Sequence, residues 1–245
     1  MALTLNCDLG ESYGSWKMGM DEAVMPHIHQ ANIACGFHAG DAIIMRRTLA
    51  LAKANGVSVG AHPSYPDLQG FGRRSMNCSH DEIVAYVQYQ IGAIEGMAKT
   101  LGISMDYVKP HGALYNDMMA KDEVRAAVME AVAEHHSKPV LMLQALPENE
   151  RHKQEAEKLG LSLHFEAFAD RCYDDDGKLL SRGKPGAVHT REKMMAQVKQ
   201  LCDEGTVTTV SGHTLPLLAN TLCVHGDNEA GVKAIQDIRA LIDAA

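Results

Sequence analysis

Five apolar segments of this chain end at, or just before, a side chain that can take part in chemistry, and a turn rich in glycine or proline follows each. The segments are Leu3–Asp8, Ala31–Cys35, Val57–His62, Tyr107–His111 and Leu222–His225. Reactive side chains at the carboxyl ends of successive parallel strands form the active sites of α/β barrels. The repeated pattern therefore predicts an enzyme.

The first two turns carry acidic residues and a histidine. Asp8 can bind a metal, accept a hydrogen bond from a substrate or act as a general base, and Glu11 follows it closely. His38 lies in a loop whose glycines let the backbone approach a ligand. Asp41 ends the same loop with the residue type of a helix N-cap, so His38 is the stronger candidate for chemistry.

The next two turns add imidazole, guanidinium and ammonium groups. His62 can bind a metal or transfer a proton. Arg73 and Arg74 follow it in a glycine-rich loop, where paired guanidinium groups can bind a carboxylate or a phosphate. Lys109 ends a predicted buried strand, so its ammonium group needs a carboxylate or a substrate oxygen as partner. His111 follows at the rim.

Two further acid and base pairs complete the set of candidates. Asp170 and Arg171 follow the sixth predicted strand, and they either pair with each other or each contribute a charge to the mouth of a barrel. His225 and Asp227 follow the last predicted strand. They form a His–Asp pair unless the aspartate caps the final helix. Together these residues indicate acid–base chemistry on a small polar substrate, with a divalent metal as an optional cofactor.

Short, mostly apolar segments alternate with helical patterns, as expected for parallel βα units that would position these side chains. The predicted strands are Leu3–Asp8, Gln30–Cys35, Val57–His62, Tyr107–Pro110, Pro139–Leu143, Leu161–Glu166 and Leu222–His225. The predicted helices are Asp41–Asn55, Asp81–Leu101, Lys121–His136, Glu150–Leu159, Arg191–Glu204 and Glu229–Ala244. We predict an α/β fold, an irregular (β/α)7 TIM-like barrel in a single domain over residues 1–245. A doubly wound open sheet is the alternative.

Composition narrows the function classes. The formal charge of −8 without a basic block argues against a nucleic-acid partner. The N-terminus lacks the pattern of a signal peptide, and no apolar stretch approaches the roughly 20 residues of a membrane span. The six cysteines show no CxxC pairing, which favours a reducing compartment. We therefore expect a cytoplasmic protein.

Six motifs closely resemble those of the LamB/YcsF family, and the resemblance extends over nearly the whole chain. The motifs are Asn6–Glu11, Ala31–Asp41, Gly60–Arg74, Val108–Asn116, Glu166–Arg171 and Cys223–Asp227. The resemblance implies a (β/α)7 barrel of the glycoside hydrolase/deacetylase superfamily type. It also implies a hydrolase activity, the ATP-dependent opening of the lactam 5-oxoproline to glutamate, in complex with two further components of 5-oxoprolinase, its B and C subunits.

This activity distributes roles among the candidate residues. The catalytic candidates are Asp8, His38, His62, Lys109 and His111. The candidates for binding substrate or phosphate are Glu11, Asp41, Arg73, Arg74, Asp170, Arg171, His225 and Asp227. A divalent metal would be bound by Asp8, His38 and His62. The chain has no GxxxxGKS or GxxxxGKT phosphate loop, so the sequence does not locate an ATP site.

Two other functions use the same residues. A stand-alone metal-dependent deacetylase or amidohydrolase would need Asp8, His38 and His62 but no ATP. A non-catalytic subunit would bind 5-oxoproline through Arg73 and Arg74 while a partner carried out the chemistry.

Overall fold

The computed structural model of the protein describes residues 3–181, 183–225 and 229–244. Its strands are β1 Thr4–Leu9, β2 Gln30–Ala34, β3 Ser58–His62, β4 Tyr107–Val108, β5 Val140–Gln144, β6 Leu163–Phe168, β7 Thr206–Thr208, β8 Thr214–Pro216 and β9 Thr221–Cys223. Seven of them run parallel and close into a barrel in the order β1-β2-β3-β4-β5-β6-β9. The predicted α/β barrel is therefore confirmed. The alternative of an open sheet is wrong, because β9 pairs with both β1 and β6.

Helices connect the strands and cover the barrel. They are α1 Asp21–Val24, α2 Ala42–Asn55, α3 His80–Thr100, α4 Gly112–Ala120, α5 Asp122–Ala133, α6 Asn149–Glu157, α7 Arg191–Glu204 and α8 Glu229–Ala244. A 3-10 turn, Met25–His27, follows α1, and β7 and β8 form a small antiparallel hairpin before β9. No helix within the described residues has the length and apolar character needed to cross a membrane.

The helix boundaries follow from capping chemistry visible in the sequence. Asp41 caps α2 by accepting hydrogen bonds from the backbone N–H groups of Ile43 and Ile44. Ser79 and Glu82 form a reciprocal capping box at the start of α3, which satisfies two backbone donors that the helix leaves unpaired.

The barrel encloses polar side chains, whereas its outer surface packs apolar side chains against the helices. Asn32 donates hydrogen bonds of 2.8 Å to the side chains of Asn6 and Asp8. The Tyr107 hydroxyl donates to Asn32 at 2.7 Å. The Tyr107 ring lies so close to Gly60 that a Cβ atom there would stand 2.1 Å from the ring. The interior is thus a hydrogen-bonded network beneath the carboxyl ends of the strands.

Candidate active site

A cavity of about 600 Å³ opens at the carboxyl ends of the barrel strands. This volume lies within the range of small-molecule sites. Eight of the residues predicted from the sequence line it: Asp8, Glu11, His62, Arg73, Lys109, His111, Arg171 and His225. The barrel therefore brings together side chains that are up to 217 positions apart in the chain, counted from Asp8 to His225.

Lys109 lies on the cavity floor and pairs with two carboxylates. Its Nζ atom is 3.1 Å from Asp8 Oδ1 and 3.0 Å from Glu166 Oε2, and it donates to Asn6 Oδ1 at 3.1 Å. Glu166 is fully buried, whereas the Asp8 side chain is 15% exposed and faces the cavity. These ion pairs satisfy the partner requirement that the sequence predicts for this buried ammonium group.

Charge pairing keeps both members of the Lys109–Asp8 pair ionised. Burial disfavours the ammonium form, but attraction to Asp8 and Glu166 outweighs it and raises the pKa of Lys109 well above its usual value. Burial likewise raises the pKa of the Asp8 carboxyl. His62 and Lys109 outweigh that effect and hold the pKa of Asp8 well below its usual range.

Three imidazole rings pack together beside this pair. His62 Nε2 is 3.0 Å from His111 Nδ1 and 3.4 Å from Asp8 Oδ2. The His38 ring stacks on the His111 ring with centroids 3.7 Å apart, and His38 Nε2 lies 3.1 Å from Glu11 Oε1. Glu11, His38, His62 and His111 each present one ligand atom within 4.8 Å of the others, so this cluster can hold a metal ion. We call these four residues the imidazole cluster.

Burial makes two of these imidazoles weak bases. Burial, and then the neighbouring imidazole of His62, lower the pKa of His38 well below its usual value. Burial also lowers the pKa of His111 well below its usual value, with further contributions from His38 and His62. Both rings are therefore neutral near pH 7, which is the form that binds metals and accepts protons.

The glycine-rich loop after β3 holds this cluster in place. Phe71 adopts a φ of 54°, and its carbonyl oxygen lies 2.8 Å from His111 Nε2. Gly72 has a φ of 65°, and a Cβ atom at this position would stand 2.8 Å from both His38 and His111. Only glycine permits this approach of the loop to the two rings.

The cavity also presents cationic groups at its mouth. His225 Nδ1 lies 3.1 Å from Asp170 Oδ2. Burial alone would lower the pKa of His225, but the hydrogen bond and the charge of Asp170 raise it above its usual value. The Arg171 guanidinium donates to the carbonyl oxygens of Leu180 and Ala187, which fixes its position. The Arg73 guanidinium lies over the Phe71 ring at 5.2 Å.

Three predicted residues lie elsewhere. Arg74 pairs with the buried carboxylate of Asp67, and its own side chain is 65% exposed and does not line the cavity. Asp41 caps α2 and accepts a hydrogen bond from the Gly14 backbone, which is a structural role. Asp227 lies outside the described residues.

Several residues of the site do not follow from the sequence pattern. Glu166 and Asn6 both contact Lys109, and Tyr115 and Phe168 line the cavity. Burial and then the Glu166 carboxylate raise the pKa of Tyr115, so its hydroxyl keeps its proton. A signal existed for Asn6, because it lies two residues before Asp8 and a strand points alternate residues to the same face.

Comparison with known proteins agrees with this fold. A family model described as the LamB/YcsF family matches residues 3–245. The chain belongs to the LamB/YcsF family. One relative, the second of the 5-oxoprolinase A subunits of Pseudomonas putida, is 54% identical over 98% of this chain and 94% of its own length. Another, the 5-oxoprolinase A subunit of Vibrio parahaemolyticus, is 53% identical over 97% of this chain and 94% of its own.

A solved structure gives the same result for the fold. The lactam utilization protein from Thermus thermophilus superimposes with a TM-score of 0.92 at 38% sequence identity. The match covers 100% of this chain and 97% of the other.

Proposed function

We propose that this LamB/YcsF chain is the catalytic subunit of an ATP-dependent 5-oxoprolinase, which opens 5-oxo-L-proline to L-glutamate with release of ADP and phosphate. One observation carries the proposal: relatives 54% and 53% identical to it over almost the whole chain are named as A subunits of 5-oxoprolinase. Those names support a multi-subunit enzyme, and we propose its B and C subunits as the partners of this chain.

The chemistry that such an enzyme needs matches the groups in the cavity. A five-membered lactam is a resonance-stabilised amide, so opening it requires an activated carbonyl group and a proton for the departing nitrogen. Transfer of the γ-phosphoryl group of ATP to the lactam oxygen releases ADP and makes the ring carbon a better electrophile. One water then attacks this carbon, the C–N bond breaks and the nitrogen takes a proton. A second water releases phosphate from the resulting acyl phosphate.

Lys109 and Asp8 have complementary tasks in this reaction. Lys109 remains an ammonium group because its pKa is raised, so it stabilises negative charge on the activated oxygen rather than removing a proton. Asp8 remains a carboxylate that is open to the cavity, so it can orient a water molecule. The neutral His111 ring can accept or return a proton. A divalent metal in the imidazole cluster would supply Lewis-acid chemistry at the same wall of the cavity.

The cations at the mouth suit the anionic parts of the reactants. Arg73, Arg171 and His225 all line the cavity, and 5-oxoproline and ATP bring a carboxylate and phosphates. Guanidinium groups bind both kinds of anion in a two-pronged geometry. We propose that ATP reaches the cavity at this mouth with the help of a partner subunit. We also propose a cytoplasmic location, since all six cysteines are free thiols.

The direct test is glutamate release from 5-oxoproline by the purified chain, alone and with its partner subunits, each with and without ATP. We expect release only when ATP and the partners are both present. Glutamate release by the chain alone, without ATP, would contradict the assignment.

The imidazole cluster favours a second candidate, a metal-dependent amidohydrolase that acts without ATP. The same assay separates the two functions, because such an enzyme would be inactivated by a chelator and indifferent to ATP.

A further inference from the structure

Hydrogen bonds determine the proton positions in two of the clustered histidines. His62 Nδ1 lies 2.7 Å from the carbonyl oxygen of Lys109. A carbonyl oxygen only accepts hydrogen bonds, so this nitrogen carries the proton. His111 Nε2 lies 2.8 Å from the carbonyl oxygen of Phe71, and the same reasoning places a proton there.

The other nitrogen of each ring then presents a lone pair, and the two lone pairs face each other. His62 Nε2 and His111 Nδ1 are 3.0 Å apart. Two neutral imidazoles in these tautomers have no hydrogen to share across this distance, and two lone pairs repel. A positively charged species must therefore bridge or adjoin the two nitrogens.

We propose that this species is a first-row transition-metal dication of the Zn²⁺ type. His62 Nε2, His111 Nδ1, His38 Nε2 and Glu11 Oε1 would bind it. Three imidazoles and one carboxylate are ligands that suit zinc and its neighbours, whereas Mg²⁺ selects oxygen ligands and water. The site therefore differs in kind from any magnesium ion that accompanies ATP.

The spacing of the ligand atoms supports this assignment. Tetrahedral zinc with ligands at 2.0–2.1 Å places neighbouring ligand atoms about 3.3 Å apart. The observed separations are 3.0 Å from His62 to His111, 3.1 Å from His38 to Glu11 and 3.7 Å from His111 to Glu11. These values lie on either side of the tetrahedral spacing, so small side-chain shifts suffice to close the site.

The outer contacts of the two central ligands are those of a metal site. Histidine ligands of metals typically donate their other N–H group to a carbonyl or a carboxylate, as His62 and His111 do here. His38 differs, because its Nδ1 atom is buried without a hydrogen-bond partner among the described residues. We therefore expect His38 to be the weakest of the three histidine ligands.

The site faces the reaction cavity. Glu11, His62 and His111 line the cavity, and Asp8 Oδ2 lies 3.4 Å from His62 Nε2. Glu11 and His111 thus belong to the proposed ligand set, whereas Asp8, a ligand in the sequence-based prediction, pairs with Lys109 beside it.

Metal titration of the chelator-treated full chain tests this site without substrate, ATP or partner subunits. We expect Zn²⁺ to bind with one equivalent per chain in calorimetry, and Co²⁺ to give the visible absorption of a tetrahedral site. His62→Gln and His111→Gln should each weaken binding more than about 100-fold, the upper end of the loss seen when an outer contact is removed. His38→Gln should weaken it less.

The matched control lies in a second, more exposed group of possible ligands, Glu95, His135 and His136. His136→Gln should leave the stoichiometry and affinity unchanged. Thermal unfolding in chelator shows whether each variant folds, and Zn²⁺ should raise the unfolding temperature of the wild type but not of His111→Gln. Absence of stoichiometric binding, or binding that survives in His62→Gln and His111→Gln, would overturn the site and indicate a proton shared by the two rings. Because activity is not measured, that result leaves the proposed lactamase function standing.

Discussion

At the scale of single residues, Lys109 organises the floor of the cavity. It is the cation that neutralises Glu166, which is fully buried, and Asp8, which faces the cavity. A buried ion pair is costly to break, because the remaining partner keeps its charge without compensation.

Replacing Lys109 therefore tests the network directly. We expect Lys109→Met to lower the free energy of unfolding by about 3–5 kcal/mol, since Glu166 would remain buried and unpaired. Adding Glu166→Gln should recover part of this loss. The matched control is Lys99→Met, whose exposed pair with Glu95 should contribute no more than about 1 kcal/mol. Urea denaturation measures all four proteins, and equal losses for Lys109→Met and Lys99→Met would contradict the network.

The sequence predicts the individual reactive groups better than it predicts their partners. Asp8, His62, Lys109 and His111 stand at strand ends, where the barrel pattern places them in the cavity. Glu166 precedes the predicted rim pair of Asp170 and Arg171 and contacts Lys109 from across the barrel. That contact depends on barrel closure between β6 and β9, which no local pattern encodes.

At the scale of elements, short barrel strands position the site, and close packing inside the barrel restricts their residues. All seven barrel strands are predicted from the sequence, with boundaries that differ by one or two residues. Helix α4 and the β7–β8 hairpin are not predicted. Helix α4 begins at Gly112 without a side-chain cap, so the usual signal for a helix start is absent.

Gly60 offers a test of packing at this scale. A Cβ atom there would stand 2.1 Å from the Tyr107 ring, which hydrogen-bonds Asn32 inside the barrel. We expect Gly60→Ala to destabilise the protein by about 1–3 kcal/mol because the ring has to move.

A second glycine provides the control. Gly92 lies inside α3, and a Cβ atom there would meet nothing within 4 Å. Gly92→Ala should stabilise the protein by up to about 1 kcal/mol, as expected for alanine in a helix interior. Thermal unfolding of both variants checks the pair, and a neutral Gly60→Ala would show that the interior is loosely packed.

At the scale of the whole molecule, the barrel gathers groups of both charges around one cavity. Asp8 and Lys109 lie at its floor, the imidazole cluster forms one wall, and Arg73, Arg171 and His225 lie at the mouth. This arrangement suits a small lactam that carries a carboxylate. The names of the relatives, which describe one subunit of a larger enzyme, support a further partner for the ATP-dependent step.

The central claim is that this cavity, rather than a site on a partner subunit, opens the lactam. Asp8→Asn in the assembled enzyme tests it most directly, because the change keeps the size of the side chain and leaves Lys109 paired with Glu166. We expect kcat for glutamate release to fall at least about 100-fold, as for loss of an acid–base group, while the complex still assembles. The control, Asp203→Asn, removes only an exposed pair with Lys199 and should keep full activity. Wild-type turnover by the assembled Asp8→Asn enzyme would contradict the claim and assign this chain a binding role alone.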